Sequence, residues 1–314
     1  MRSSMSEGYP VHIEIAPRVH LVRGNNRARF PEANSLLIDE NPLTLVDAGS
    51  SMENLHKTLS DLGHSLNDIE QIILTHCHID HKGHAATIQK QSDCGIVCHP
   101  LAKKGVETLG GLVEEYGIAK HRMYDAWREY IDSIMPYVVA DYEVTSTFTE
   151  KKTIMVGDTQ LIPIHAPGHT HDHTIIGING LETILLVDID LTHFGPWYGN
   201  VVSNIADFRK TLSNVIALEP KIGISSHLIE PVEEGLIDRL VGYSEVFAAR
   251  EEKIIKSIGQ GLNTIDKLAS VPTIYPRLPF PPYIIFEEYM LLKHIEDMSD
   301  RGIVEYDGET IYLK

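Results

Sequence analysis

From His76 to His81 the chain places three histidines and an aspartate within six residues, directly after the apolar run Gln71-Ile-Ile-Leu-Thr75. Imidazole and carboxylate together suit borderline to hard divalent cations, and zinc is the commonest occupant of such nitrogen and oxygen sites. His76 and His78, two residues apart, can converge on one ion. The adjacent Asp80 and His81 leave the backbone in different directions, so in a tight turn they can serve a second. Three further segments repeat the arrangement of an apolar run ending in a ligand type. His169 follows Leu161–Ile164 through Ala-Pro-Gly, Asp188 ends Thr-Ile-Leu-Leu-Val, and His227 follows Ile-Gly-Ile-Ser-Ser. A solvated polar loop would account for the first cluster alone, but not for four ligand segments at the ends of four buried strands. Ligands in open α/β sheets collect along such a rim.

The other candidates read more plainly. His165, His171 and His173 flank His169 and suit hydrogen bonds that fix a ligand's tautomer, or simple polar exposure. His84 and His99 read as capping or surface residues. Cys77 lies between two ligand candidates, but side chains alternate direction in extended chain, so it should point away and pack. Cys94 and Cys98 lack the spacing of a thiolate zinc site and read as small buried thiols. The Gly- and Pro-rich aromatic run Thr192–Asn200 starts at the metal side of Asp188, which makes Phe194, Trp197 and Tyr198 candidates to wall a pocket.

These residues need elements to carry them. Short apolar runs predict strands at Val19–Val22, Ser35–Ile38, Leu43–Asp47, Ile72–Leu74 and Gly95–Cys98, with a helix over Ser51–Leu62. Strands return at Ile154–Val156, Leu161–Ile164, Thr174–Ile178, Thr183–Val187 and Ile222–Ser225. Between the two sets, residues 100–141 carry helical periodicity, with Met123, Trp127, Tyr130, Ile131 and Ile134 on one face. This insertion is placed to form a lid. The last part of the chain predicts helices at Glu251–Ile258, Ile265–Ala269 and Tyr283–Met298, interrupted by the proline-rich 272–282. A hairpin turning at Asp307-Gly308 follows. Three helices and a hairpin resemble a winged helix, and they divide the chain into a catalytic domain over 11–235 and a C-terminal module over 246–314.

Composition bounds what such a protein does. The 314 residues carry 27 Lys and Arg against 44 Asp and Glu, a net charge of -17 that repels polyanions overall. No stretch approaches the roughly 18 apolar residues of a membrane span, and the first ten residues lack the apolar run of a signal peptide. Three cysteines cannot make a disulfide framework, and their odd number fits a reducing compartment. A cytoplasmic protein with a small-molecule substrate is the expectation, with neither nucleic acid nor membrane as partner.

The motif His76-Cys-His78-Ile-Asp80-His81, with Ala166-Pro-Gly-His169-Thr and Leu45-Val-Asp47-Ala-Gly49, resembles the metallo-β-lactamase fold superfamily of hydrolases. The resemblance covers about residues 11–232, apart from the insertion. It implies an α/β fold, the αββα sandwich of that superfamily, and a dinuclear centre of two divalent ions, zinc before iron or manganese. It further implies one site of His76, His78 and His169, a second of Asp80, His81 and His227, and Asp188 as the bridge. The superfamily usually carries Gly-Asp at that point. Here the sequence is Val187-Asp188-Ile189-Asp190, so Asp190 is a rival bridge, and Asp188 is favoured as the residue at the strand end.

The activity that follows is metal-dependent hydrolysis. Metal binding lowers the pKa of water from about 15.7 toward 7, supplying hydroxide at neutral pH, and polarises the bond under attack. His78 and Asp80 are the expected catalytic residues, the carboxylate orienting the water and passing a proton to the leaving group. A thioester, lactone or other acyl bond of a small molecule is the expected substrate, as in the glyoxalase II-like branch. A nuclease or RNA-processing enzyme and a one-iron persulfide dioxygenase are the alternatives. Against the nuclease stand seven Lys and Arg against eleven Asp and Glu in residues 251–314. The apolar residues of that module predict that it packs on the catalytic domain or on a second copy of the chain.

Overall fold

The computed structural model describes residues 8–150 and 152–314. Two sheets lie face to face. The first contains β1 (His12–Ala16), β2 (Val19–Val22), β3 (Ser35–Ile38), β4 (Thr44–Val46), β5 (Gln71–Leu74), β6 (Gly95–Cys98) and β7 (Ser146–Thr147), in that order across the sheet. The second contains β8 (Ile154–Val156), β9 (Thr159–His165), β10 (Thr174–Ile178), β11 (Thr183–Val187) and β12 (Ile222–Ser225), in the order β12-β11-β10-β9-β8. β1 to β4 pair antiparallel and β4 to β7 parallel. The second sheet is antiparallel except for the parallel pair β11–β12.

Period-two alternation explains the layering. In β3, Leu36 and Ile38 face the second sheet while Leu37 faces helices; in β5, Ile73 faces the second sheet while Ile72 and Leu74 face helices. Leu185 and Val187 of β11 enter the same inter-sheet core, and Ile184 and Leu186 point to the opposite side. Both faces are therefore buried along the central strands, such as β2 to β5 and β10 to β11, which is why these read as continuous apolar runs, while the edge strands β7 and β8 are partly exposed. The helix Met52–Asp61 covers the first sheet through Leu55 and Leu59, and the helix Ile205–Ala217 covers the second through Phe208 and Leu212. The result is helix, sheet, sheet, helix.

Several boundaries differ from the sequence expectation. β1 and β7 are additional. The insertion holds three helices, Lys103–Glu107, Leu109–Tyr116 and Tyr124–Ile134. Gly117 ends the second of them at φ 75°, a left-handed conformation that glycine adopts without a Cβ clash. The helix expected at Glu251–Ile258 begins at Leu236 and runs unbroken to Gly259, through residue 246. Its apolar positions Leu236, Leu240, Tyr243, Phe247, Ile254 and Ile258 keep helical spacing across Gly242, whose cost packing offsets. The last helix is Ile284–Asp300, followed by β13 (Val304–Tyr306) and β14 (Ile311–Leu313). Tyr306 pairs with Ile311, so the turn spans residues 307–310 instead of two, and the Asp307 carboxylate accepts the N–H groups of Glu309 and Thr310.

One core joins the second sheet to the insertion and to the C-terminal helices. Trp127 and Ile131 share it with Ile184, Phe208, Phe247, Ile285 and Met290. The buried Arg250 guanidinium donates to the carbonyls of Phe194 and Pro196 and to the Tyr198 hydroxyl, stitching the helix Leu236–Gly259 to the loop after β11. Among the described residues, no helix is long and apolar enough to cross a membrane.

Candidate metal centre

The ends of β5, β9, β11 and β12 deliver seven side chains to one rim. His76, His78, His169 and Asp188 form one group and Asp80, His81 and His227 another, the ligating atoms in each lying within 4.8 Å of one another. His76 and His78 stand on the loop after β5, and the turn Ile79–Lys82 carries Asp80 and His81. That turn is held from beside β4: Ala48 N–H donates to the His81 carbonyl at 2.9 Å, and His84 N–H to the Ala48 carbonyl at 2.9 Å. The approach is so close that a Cβ on Gly49 would sit 1.8 Å from the Asp80 carbonyl oxygen, so only glycine fits there.

Each ring has one nitrogen committed and one left for the centre. His81 Nδ1 donates to Asp47 at 2.8 Å, His169 Nδ1 to the Trp197 carbonyl at 2.8 Å, and His227 Nδ1 to the Ala28 carbonyl at 2.7 Å. His76 Nδ1 meets the Thr75 hydroxyl at 3.2 Å, and that hydroxyl in turn donates to Asp47 at 2.7 Å. These contacts aim Nε2 of all four rings inward. His78 is the other way round. Its Nδ1 lies 2.8 Å from His169 Nε2, and its Nε2 faces the Asn200 side-chain amide at 2.7 Å. Outer hydrogen bonds of this kind fix ring tautomer and orientation at metal sites.

Asp188 joins the two groups. Its Oδ2 lies 3.0 Å from His169 Nε2 and 4.0 Å from His76 Nε2; its Oδ1 lies 3.0 Å from His81 Nε2 and 3.6 Å from His227 Nε2. Asp80 reaches His227 Nε2 at 3.6 Å. Asp190 sits outside both groups, its carboxylate accepting the N–H and hydroxyl of Thr192 at 2.9 and 3.1 Å.

Electrostatics follows the same division. Burial holds His76 and His78 well below the ordinary histidine range. Burial acts on His81 in the same direction, but Asp188 and Asp47 on its two sides outweigh it and raise it well above that range. In His227, Asp188 and Asp80 likewise overcome burial, raising it to about 9. Burial alone would raise Asp188, but His81, His169 and His227 hold it well below the carboxylate range. The donor set fits divalent cations. His76 Nε2, His81 Nε2 and Asp188 Oδ1 are buried and converge, and no well-aligned hydrogen bond satisfies any of them. Such atoms are costly unless something pairs with them.

The remaining sequence candidates separate. His173 is fully buried, its Nδ1 donating to the Ala166 carbonyl at 2.9 Å and its Nε2 accepting Asp188 N–H at 3.2 Å, which ties β10 to the bridge position. Burial lowers it to about 3. His165 and His99 stack 4.7 Å apart away from the centre. His84, expected at a cap or the surface, is buried and stacks on Tyr137 at 3.9 Å, because the insertion folds over the helix it begins. Cys77, Cys94 and Cys98 are free and packed in the helix-side core. Phe194 and Trp197 line the cavity above the centre; Tyr198 instead turns inward, to His294 at 2.7 Å.

That cavity measures about 1040 Å³ and opens onto His78, Asp80, His169, Asp188 and His227. Tyr116 and Trp127 from the insertion and Tyr275, Tyr283 and Phe286 from the C-terminal part wall it. Sequence reasoning took Asp47 only as part of a motif and Trp127 only as part of a helix face, and assigned no role to Asn200 or the other four aromatics. Asp47 carried a signal, since an acidic residue closes the strand beside β5, but no spacing rule links the aromatics to a site far away in the chain.

Comparison with known proteins adds the context. The profile of the metallo-beta-lactamase superfamily matches residues 29–227. The chain is 22% identical over 222 residues to the probable metallo-hydrolase YqjP of Bacillus subtilis (strain 168), a match that covers 61% of this chain and 65% of that relative, under two thirds of its length. In three dimensions it is similar to the metallo-beta-lactamase family protein TTHA1429 of Thermus thermophilus, with TM-score 0.73 and 18% identity over 96% of this chain and 100% of that one. It is also similar to a beta-lactamase domain protein from Burkholderia ambifaria, with TM-score 0.70 and 17% identity over 98% and 96%. BJP-1, a subclass B3 metallo-beta-lactamase of Bradyrhizobium japonicum, aligns with TM-score 0.55 and 18% identity over 78% of this chain and 95% of that one. At these identities the structural likeness speaks to fold.

Proposed function

The chain belongs to the metallo-beta-lactamase superfamily, and from that membership we propose that it is a metal-dependent hydrolase with a dinuclear centre, acting on a thioester, lactone or other acyl bond of a small molecule. The observation that carries this reading is Asp188, whose two oxygens face different histidine groups. His76, His78 and His169 would hold one ion, Asp80, His81 and His227 the other, with Asp188 between them; zinc suits the set. When bound, the ions supply a lowered pKa for water and polarise the acyl oxygen under attack.

The chain's own residues do the rest. Asp80 lines the cavity at its floor and is the carboxylate placed to take a proton from the attacking water and return it to the leaving thiolate or alkoxide. The water oxygen forms the new bond to the acyl carbon as the bond to sulfur or oxygen breaks. His78, also on the cavity surface, is kept neutral by burial and held between His169 and Asn200. The aromatic wall excludes bulk water from the reacting bond. Against a nucleic-acid substrate stands the helix Ile284–Asp300, the one that would enter a groove. Its Glu288 pairs with His121 at 2.9 Å and also with Arg122, and its Asp297 pairs with Arg209 at 2.9 Å and Arg301 at 2.8 Å.

Metal quantitation coupled to a hydrolysis screen over thioesters, lactones, β-lactams and phosphodiesters tests the proposal. The expected result is two ions per zinc-loaded chain and turnover of an acyl substrate. One iron per chain with thiol-dependent oxygen uptake would replace it with the dioxygenase reading, and phosphodiester cleavage alone with the nuclease.

A further inference from the structure

The mouth of the cavity has a charge that the rest of the protein does not. The net charge is -17, yet Arg27, Arg29 and Arg239 line the cavity, all three exposed. Among the described residues the other arginines are mostly engaged. Arg18, Arg122, Arg128, Arg209 and Arg301 pair with carboxylates, and Arg23 and Arg250 donate to backbone carbonyls. Among the same residues, the three at the mouth have no carboxylate within 4.0 Å. Arg277 is likewise unpaired there but does not line the cavity. Glu230, an exposed carboxylate that lines the same cavity, pairs with none of them.

Two of these arginines sit on a strained turn. Asn26, Arg27 and Ala28 have φ of 52°, 60° and 54°, a left-handed run of three residues that are not glycine. Such conformations persist only where surrounding structure holds them, and they gather at functional sites. Here the hold is visible, since the Ala28 carbonyl takes the His227 Nδ1 proton at 2.7 Å. The turn that orients a ligand histidine thus also carries Arg27 and Arg29 to the cavity. The same cavity is lined by aromatic side chains, among them Phe30, Tyr130, Phe194 and Tyr283.

We propose that the mouth is a subsite for the anionic head of the substrate, Arg27, Arg29 and Arg239 receiving a carboxylate or phosphate while the aromatic wall holds an apolar acyl portion over the metal floor. The guanidinium fork suits both anions. The proposal rests on the hydrolase reading for where the reacting bond lies, and it names the substrate class as an amphipathic anionic ester or thioester.

Equilibrium binding tests it without turnover. Three uncleavable thioethers sharing one decyl chain end in a carboxylate, a phosphate or a neutral primary alcohol, and calorimetry measures each against the zinc-loaded full chain. At least one anionic thioether should bind about tenfold more tightly than the alcohol, as expected for partly exposed charge-assisted contacts. Replacing the three arginines by glutamine should bring that ratio near one, and replacing them by lysine should keep most of it. The single Arg239→Gln variant, at an exposed helix position, should lower the ratio about threefold and stands in if the triple variant fails to fold. Carboxylate over phosphate, or the reverse, identifies the head. Equal binding of anion and alcohol, no binding of either anion, or an unchanged ratio in a folded glutamine variant would overturn the subsite. Cleavage of the matching thioesters is followed alongside. A binding preference without any cleavage would leave the subsite standing and sink the hydrolase reading, whereas cleavage of all heads with equal binding would do the opposite.

Discussion

The floor of the cavity and its wall are built by different physics. On the floor the candidate ligand rings are fixed by directed contacts, among them Asp47 for His81, the Trp197 carbonyl for His169 and the Ala28 carbonyl for His227. The wall is a stack of aromatic edges, with Trp197 to Phe286 at 5.4 Å, Tyr283 to Phe286 at 5.4 Å and Tyr116 to Trp127 at 5.8 Å. Hydrogen bonds set atoms to a few tenths of an ångström and suit ligands; aromatic packing sets volume and shape and suits selection of a substrate. Trp197 belongs to both, its carbonyl holding His169 and its indole N–H donating to Tyr275 at 2.8 Å.

Breaking the floor should have the largest effect. Asp188→Asn should lower activity roughly a thousandfold, about 4 kcal/mol, and reduce bound metal, because an amide of the same shape cannot offset repulsion between two cations. Asp190→Asn should be milder, since that carboxylate serves Thr192. Metal titration of both variants ranks them, and the reverse order would move the bridge to Asp190.

Breaking the seam behind the wall comes next. Arg250→Met leaves the carbonyls of Phe194 and Pro196 and the Tyr198 hydroxyl without their donor in a buried setting, a loss of about 3 kcal/mol. Denaturant unfolding should show it while metal stoichiometry holds. Loss of metal in the folded variant would mean that floor and wall are not separable.

Asp47→Asn tests whether the floor depends on its outer contacts. Metal affinity should fall by about 10- to 100-fold, because the amide lacks the carboxylate's charge and has one acceptor oxygen where Asp47 uses two, Oδ1 for the Thr75 N–H and Oδ2 for the Thr75 hydroxyl and the His81 ring. An unchanged affinity would show that strand geometry alone positions the ring. The smallest effect is expected for Trp197→Phe, which removes the indole N–H bond to Tyr275 at about 1 kcal/mol but keeps the backbone carbonyl under His169. KM should move, with metal content and kcat nearly constant; a change in metal affinity would instead tie the side chain to the floor.

What the sequence by itself determined was local and periodic. Short apolar runs marked ten of the strands, and those ending toward His76, His169, Asp188 and His227 marked the rim, because strand-forming runs and ligand chemistry are both written in adjacent residues. The tertiary structure decided the rest. Asp188 and Asp190 are the same residue type two positions apart, and only packing turns the first between the histidine groups and the second to Thr192. The helix Leu236–Gly259 needed Phe208 and Tyr198 against Phe247, at 5.5 and 5.2 Å, to run through Gly242. Tyr116, Tyr275 and Phe286 meet over the candidate metal floor because one shared core folds the insertion and the C-terminal helices onto the second sheet, whereas Arg27 and Arg29 reach the cavity on the turn whose Ala28 carbonyl accepts from His227. Contacts between residues more than a hundred positions apart depend on how whole surfaces fit together, and no window of sequence contains that information.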